Sequence, residues 1–134
     1  MNKNKKIIVG IIHYNSGNIG NLVKTVSKFT KNIIIVKNKS DFEKCKKIIL
    51  PGVGSFGVAI DFLRKKKLIK CLKDYILKGG DTLGICLGMQ ILYKSSEEDK
   101  DINGIGIIKK VIKKIDRTSK NNVTVPHIGW NKVI

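Results

Sequence analysis

The sequence predicts an α/β fold in which helices flank a doubly wound, mostly parallel sheet. Apolar runs of strand length alternate with amphipathic stretches over the first 95 residues, and this order is typical of parallel strands joined by helical crossovers. The first run, residues 7–12, is apolar and rich in β-branched side chains, as in a strand that is buried on both faces. The pairs Pro51-Gly52 and Gly79-Gly80 mark where a strand and a helix end.

The elements of this first part follow from local patterns. Four strands are predicted at residues 6–13, 32–36, 47–50 and 81–85. Apolar residues at helical spacing from Ile19 to Phe29 indicate a helix after the first strand. A short helix begins at Ser40, two longer helices span residues 55–66 and 68–78, and a last helix spans 87–94.

The pattern changes in the last third of the chain. Residues 95–103 form an acidic loop, and short strands are predicted at 105–108, 111–115, 123–125 and 132–134, with a turn at 117–122. These strands would extend the sheet or form an antiparallel flank. Residues 1–134 are expected to make one domain, and a chain that stops inside an apolar strand is expected to be incomplete at its C-terminus.

The composition limits the classes of function. The net charge is +17, but 27 cationic residues include only two arginines, Arg64 and Arg117, and arginine is the side chain that reads bases and clamps phosphates. The lysines are also scattered along the chain, so a solvated surface is expected and nucleic acid is not the expected partner. The apolar runs are too short for a membrane span, which leaves a cytoplasmic protein as the expectation.

The three cysteines are Cys45, Cys71 and Cys86. They form no C-x-x-C pair, so neither a disulfide framework, a metal site nor any cofactor is expected. Cys45 and Cys71 lie within helical patterns and are expected to pack as small apolar residues.

Cys86 stands in a different setting. The segment 83–90 has the form G-x-C-x-G between a predicted strand and a predicted helix, which is the cysteine version of a nucleophile elbow. Gly84 and Gly88 would remove the Cβ atoms that clash in so tight a turn. The sulfur would stand at a helix N-terminus, where the nucleophilic thiolate is favoured, and the N–H of Leu87 could stabilise an oxyanion. The glycine-rich loop 51–55 is the natural source of a second donor.

These motifs carry a resemblance. Residues 84–90, G-I-C-L-G-M-Q, are similar to the nucleophile motif of class I glutamine amidotransferases, which have a flavodoxin-like sheet. Together with 51–56, P-G-V-G-S-F, and 125–131, V-P-H-I-G-W-N, they resemble one family in particular. That family is the glutaminase subunit of imidazole glycerol phosphate synthase, in histidine biosynthesis. The resemblance runs in collinear order from about residue 7 to residue 134.

The resemblance implies a function and a set of site residues. Cys86 would attack the glutamine amide, forming a glutamyl thioester, and the ammonia would pass to a (β/α)8-barrel synthase subunit. The N–H groups of Val53 and Leu87 would form the oxyanion hole, and Gly52, Gln90 and Glu98 would hold the glutamine. The residues that would face the partner subunit are Tyr14, Asn18, Trp130 and Asn131. Core packing is the alternative interpretation of Tyr14 and Trp130.

The family also needs a catalytic His and Glu some tens of residues beyond residue 130, which this sequence does not contain. Its two histidines, His13 and His127, are not at the family's base position. Little or no glutaminase activity is therefore expected from this chain by itself. The alternatives left open are a docking module or decaying remnant that binds the synthase without hydrolysis, another cysteine hydrolase of similar fold, and a nucleic-acid-binding protein.

Overall fold

The structure is a computed structural model that describes residues 7–14, 19–115, 129, 130 and 132. Some predictions concern residues that lie entirely or mostly outside this part of the chain. They are Asn18, His127, Asn131, the turn at 117–122, and the strands at 123–125 and 132–134.

The described residues alternate between strands and helices, as the sequence predicts. The first eight elements are β1 Val9–Ile12, α1 Ile19–Val26, β2 Ile33–Val36, α2 Lys39–Lys44, β3 Lys47–Leu50, α3 Phe56–Lys65, α4 Leu68–Leu77 and β4 Asp81–Gly84. The last three are α5 Leu87–Gln90, β5 Tyr93–Ser96 and β6 Ile108–Ile112. The first eight lie within a few residues of their predicted bounds.

Strands β1 to β4 form one parallel sheet in the order β2-β1-β3-β4. The chain leaves β1 for β2 on one side and then returns to β3 and β4 on the other, so the predicted doubly wound arrangement is confirmed. The order reverses between β1 and β3. In open α/β sheets, the crevice at the carboxyl ends of the strands on either side of such a reversal is where ligands bind.

Helices pack on both faces of this sheet. On one face, Ile48 and Leu50 of β3 are buried in the main core. This core is closed by apolar residues of α2, α3, α4 and α5, namely Phe42, Phe56, Ala59, Ile60, Leu63, Leu68, Leu72 and Leu87. On the other face, Val26 of α1 lines a groove together with Ile49 and Leu83. That face is covered less completely, because Leu83 is 56% exposed.

The helix predicted over residues 87–94 is wrong beyond its first turn, because α5 ends at Gln90 and β5 follows. The physical reason is a competing set of backbone partners. Ile105 N–H donates to the carbonyl of Ile91, Gly104 N–H to that of Lys94, and Gly106 N–H to that of Tyr93. Carbonyls that would accept bonds within a longer helix are thus occupied by a segment distant in sequence.

The strands predicted at 105–108 and 111–115 are replaced by a single strand, β6, which spans the gap between them. β6 pairs in parallel with β5 in a separate two-stranded sheet. It neither extends the main sheet nor forms the expected antiparallel flank. The expected helical continuation to Phe29 is also wrong, since α1 ends at Val26 and Phe29 is almost fully exposed.

Cys45 is buried, as predicted, and its thiol donates to the carbonyl of Asp41.

Within the described residues, every helix is too short or too polar to cross a membrane.

Candidate active site

The segment between β4 and α5 has the geometry of a nucleophile elbow. Cys86 occupies the turn with φ 53° and ψ −115°. A positive φ is rare for a residue with a side chain, and Lys67 is the other described non-glycine residue that has one. The thiol is exposed, whereas Leu87 and Gly88 beside it are buried. The turn therefore leaves Cys86 exposed while the two residues after it pack inward.

Both flanking glycines are required by close backbone contacts. A Cβ atom on Gly84 would lie 2.8 Å from Cα of Met89 and 2.9 Å from its nitrogen. A Cβ atom on Gly88 would overlap the carbonyl group of Leu50 at the end of β3. The packing thus confirms that Cβ atoms at these two positions would clash, as the sequence predicts. The elbow is held tightly against the neighbouring strand.

Backbone hydrogen bonds fix the turn. Ile85 N–H donates to the carbonyl of Leu50 at 2.8 Å, which extends the β3–β4 pairing by one residue. Met89 and Gln90 N–H groups both donate to the carbonyl of Cys86 at 3.0 Å. Leu87 is the first residue of α5, and the N–H of a first helical residue has no partner inside the helix. The Leu87 N–H is thus the first main-chain donor after Cys86.

The loop after β3 packs against this turn. A Cβ atom on Gly52 would lie 3.1 Å from Cβ of Leu87, so the loop and the first residue of α5 are in direct contact. Gly54 has φ 122°, a conformation that favours glycine. Val53 between them is 59% exposed. The glycines let this loop approach the elbow closely.

Cys86, Gly52 and Val53 line one cavity of about 260 Å³ at the carboxyl ends of β1, β3 and β4. The wall across from them includes His13 and Tyr14, which follow β1. This cavity lies at the topological reversal between β1 and β3. His13 follows β1, which lies two positions away from β4 in the sheet, so about 10 Å separates the two strands. The structure thus places His13 in the same cavity as the thiol but not on an adjacent strand.

Gln90 and Glu98 line a different cavity, of about 450 Å³. Ser96, Glu97, Lys113 and Lys114 complete much of its wall. Glu98 is exposed, and its N–H donates to the hydroxyl of Ser96 at 3.2 Å. The predicted site residues are therefore brought together in two groups that meet at α5. One group lines the cavity of Cys86, just before α5, and the other lines the cavity of Gln90, the last residue of α5.

The residues expected to face a partner subunit differ in how exposed they are. Trp130 is fully exposed, in agreement with a surface position. Tyr14 is 1% exposed, and its ring packs edge-on against Phe62 at 6.1 Å. Its partner-facing position is therefore contradicted by its burial, because the ring is enclosed by the core. Asn18 and Asn131 lie outside the described residues.

Burial also explains the electrostatics of Tyr14. Enclosure in the core raises the pKa of the tyrosine hydroxyl far above its usual range, since the phenolate would lose its hydration. Among the described residues, the hydroxyl oxygen has no hydrogen-bond partner.

The described residues also contain no cluster of three or more His, Cys, Asp or Glu side chains that could hold a metal ion.

Asp99 is a residue near this site whose role the sequence does not reveal. Residues 95–103 are predicted as an acidic loop, but the Asp99 side chain is half-buried and accepts a hydrogen bond from the backbone of Gly57 at 2.7 Å. The two residues are 42 positions apart. A contact of this kind leaves no periodic or local signal, so a single sequence could not reveal it.

Comparisons with known proteins agree with this geometry. Residues 11–128 match the sequence model of the CobB/CobQ-like glutamine amidotransferase domain. The chain is 44% identical over 126 residues, or 94% of its length, to the imidazole glycerol phosphate synthase subunit HisH of Prochlorococcus marinus subsp. pastoris. It is also 44% identical, over 128 residues, to the HisH subunit of Methanocaldococcus jannaschii. It spans 60% and 61% of the length of these two proteins.

Two further relatives extend the comparison. The chain is 38% identical over 123 residues to imidazole glycerol phosphate synthase hisHF of Emericella nidulans, where the matched segment makes up 22% of the longer chain. A solved structure described as a glutamine amidotransferase superposes with a TM-score of 0.66 and 17% identity, covering 79% of this chain and 56% of that one. At that identity the superposition shows the fold.

Proposed function

Because this chain belongs to the family of CobB/CobQ-like glutamine amidotransferase domains, we propose that it supplies the nucleophile for hydrolysis of glutamine to glutamate and ammonia. The observation that carries the proposal is the elbow at Cys86, where a positive φ and two indispensable glycines turn one thiol outward. Cys45 is buried and Cys71 is half-buried on α4. Cys86 is therefore the cysteine whose surroundings suit nucleophilic attack.

The proposed reaction proceeds through a covalent intermediate. The Cys86 thiolate attacks the amide carbon of glutamine, and the carbonyl oxygen takes up negative charge in a tetrahedral intermediate. The N–H groups of Leu87 and Val53 are the proposed donors to that oxygen. Collapse of the intermediate breaks the C–N bond and releases ammonia once the nitrogen has received a proton. Water then hydrolyses the glutamyl thioester, giving glutamate and the free thiol.

Gly52, Gln90 and Glu98 are the proposed residues for holding glutamine. The carboxylate of Glu98 suits the α-ammonium group of the substrate, and the carboxamide of Gln90 can both donate and accept hydrogen bonds. Contact between Gly52 and Leu87 supports a binding surface that continues from the elbow into the loop. Glutamine would have to bridge the two cavities across α5, with its amide at the sulfur and its α-carbon toward Glu98.

We further propose that the ammonia is delivered to a (β/α)8-barrel synthase subunit. The HisH relatives are named as subunits of imidazole glycerol phosphate synthase, and this supports the presence of a partner subunit. The exposed ring of Trp130 supports a protein contact at that position, because a large aromatic side chain in water is typical of an interface. Asn18 and Asn131 complete the proposed partner-facing group. The reaction also needs a free thiol, which a reducing cytoplasm maintains.

The direct test combines labelling and ammonia release. The chain is treated with 6-diazo-5-oxo-L-norleucine, a glutamine-shaped electrophile, and the modified cysteine is identified by peptide mass spectrometry. Saturable modification confined to Cys86 is expected, with protection by glutamine and no reaction in Cys86→Ala. Ammonia release from glutamine is then measured with the barrel subunit and its substrate present. Labelling of Cys45 or Cys71 instead, or equal ammonia release by wild type and Cys86→Ala, would contradict the proposal.

The same experiment separates the alternatives. A docking module would bind the barrel subunit but release no ammonia above the Cys86→Ala background. A cysteine hydrolase with another substrate would react at Cys86 without protection by glutamine.

A further inference from the structure

The carboxylate of Asp99 joins two segments that are distant in sequence. One of its oxygens, Oδ2, accepts a hydrogen bond from Gly57 N–H at 2.7 Å and another from the Ser55 hydroxyl at 3.3 Å. Gly57 lies in the first turn of α3, and Ser55 is the residue just before that helix. Asp99 therefore caps α3 from outside, using the backbone donors that a helix leaves unsatisfied at its N-terminus.

Packing around this contact leaves little freedom. A Cβ atom on Gly57 would lie 2.7 Å from the terminal carbon of Ile102 and 2.9 Å from the Asp99 carboxylate. The turn that carries Asp99 is itself closed by a hydrogen bond from Ile102 N–H to the Asp99 carbonyl at 3.0 Å. The turn thus rests directly on the first turn of α3, with glycine as the residue that lets it approach.

Each joined segment lies next to proposed glutamine contacts. Asp99 directly follows Glu98, the proposed partner of the substrate ammonium group. Ser55 ends the loop that begins at Pro51 and contains Gly52 and Val53, the proposed substrate and oxyanion contacts. These contacts line different cavities, one that includes Cys86 just before α5 and one that includes Gln90 at the end of α5. The carboxylate of Asp99 is a hydrogen-bonded link between the turn and the segment that ends the loop and begins α3.

We propose that Asp99 is a positioning residue, which holds the Glu98 turn and the oxyanion loop in the relative placement that glutamine needs. This inference rests on the proposed function. The residue does not touch the substrate in the proposal. It sets the distance between the group that binds the α-carbon end of glutamine and the donors that stabilise charge at the amide end, and a small error in that distance reduces the rate strongly.

The test measures how Cys86 reacts with two reagents of different shape. Alkylation by 6-diazo-5-oxo-L-norleucine needs both ends of the glutamine site, and its saturation kinetics give a binding constant KI and a limiting rate kinact. Alkylation by iodoacetamide needs only an accessible thiol. Asp99→Ala is expected to lower kinact/KI for the diazoketone at least tenfold and to leave the iodoacetamide rate within twofold, because the elbow glycines are untouched. Asp99→Asn retains an oxygen acceptor for Gly57 N–H and is expected to fall between.

Asp101→Ala is the matched control. Asp101 lies in the same turn and is exposed, so its replacement removes one negative charge without removing the cap, and wild-type kinetics are expected. Wild-type KI and kinact in Asp99→Ala would overturn the proposal. So would an equal slowing of both reagents in Asp99→Ala and Asp99→Asn, because the effect would then lie on the reactivity of the Cys86 thiol and not on the placement of the glutamine contacts.

Hydrogen–deuterium exchange makes the test independent of the glutamine site. Asp99→Ala is expected to speed exchange in peptides covering residues 52–58 and 97–103 together, and Asp101→Ala in neither. If the wild-type chain reacted with the diazoketone without saturation, the proposed function would fail. The exchange result would still decide whether Asp99 couples the two segments, and unchanged exchange in both peptides would refute the coupling.

Discussion

At the scale of single residues, Cys86 needs an exposed side chain in order to react, although the turn that holds it is closely packed. A backbone with φ 53° and ψ −115° is strained for a residue that has a Cβ atom, at a cost on the order of 1–3 kcal/mol. The surrounding bonds from Ile85, Met89 and Gln90 keep the residue there. The result is a thiol that stays in water although both of its neighbours in α5 are buried.

Tyr14 gives the prediction that belongs to this scale. Tyr14→Phe is expected to leave the free energy of unfolding at pH 7 unchanged or to raise it by about 1 kcal/mol, because it removes a buried hydroxyl that is unpaired among the described residues. The native pKa of Tyr14 is raised by burial, so its contribution to stability is present below the unfolded pKa of about 10 and is lost as the pH rises above it. Urea unfolding at pH 7 and pH 10.5 checks both statements.

The wild type should therefore lose more stability between these two pH values than Tyr14→Phe does. Tyr75 provides a matched comparison, since burial also raises its pKa but its hydroxyl donates to the carbonyl of Lys46 at 2.7 Å. Tyr75→Phe should destabilise the protein at pH 7. A Tyr14→Phe protein that is clearly less stable than wild type at pH 7 would show that the hydroxyl has a partner.

At the scale of elements, the elbow depends on how closely α5 approaches β3. Gly88→Ala is expected to lower the free energy of unfolding by about 3 kcal/mol or more, because the new methyl group would overlap the Leu50 carbonyl. The iodoacetamide reactivity of Cys86 should change as well, since the turn must move. Gly79→Ala is the control: Gly79 has φ 81° but open space around it, so the backbone alone is affected and about 1 kcal/mol is expected.

Urea denaturation of both variants, with thiol labelling under native conditions, makes this measurement. Equal losses of stability in Gly88→Ala and Gly79→Ala would contradict the close approach of α5 to β3 as the reason for the glycine at position 88, because only Gly79 has a positive φ of these two.

The elements also mark how far a single sequence determines this fold. Strands β1 to β4 and helices α3 and α4 were predictable because periodicity, turn residues and capping signals agree over each segment. The end of α5 was not, because the partners of the carbonyls at Ile91 and Lys94 come from residues 104 and 105. In the site, the spacing of the two glycines around Cys86 was enough to predict the elbow. The burial of Tyr14 and the cap from Asp99 depend on neighbours that the local sequence does not specify.

At the scale of the whole molecule, the sheet face beside α1 stands out. A groove of about 460 Å³ runs along it, lined by residues from α1, β1, β3 and β4, and by Phe29. Leu83 is 56% exposed and Phe29 is 86% exposed. Contiguous apolar surface of this kind binds hydrophobic partners or dyes.

The dye 8-anilinonaphthalene-1-sulfonate is therefore expected to fluoresce on binding to the native chain, and Leu83→Gln should reduce that signal at least twofold. Leu77→Gln is the matched control, because Leu77 is equally apolar and 68% exposed but lies at the end of α4, away from the groove. A titration of dye fluorescence under native conditions makes the comparison. An equal reduction by both variants would mean that the dye does not select the groove.

The parallel pairing of β5 with β6 has a consequence for how this chain can vary. A hairpin can join antiparallel neighbours in two residues, whereas parallel neighbours need a return path of roughly a dozen. Residues 97–107 are that return path, and Asp99 anchors it partway along. Deleting even two residues there would force a choice between losing the anchor and shifting the strand register. Natural insertions and deletions should therefore accumulate in other connections and spare this one.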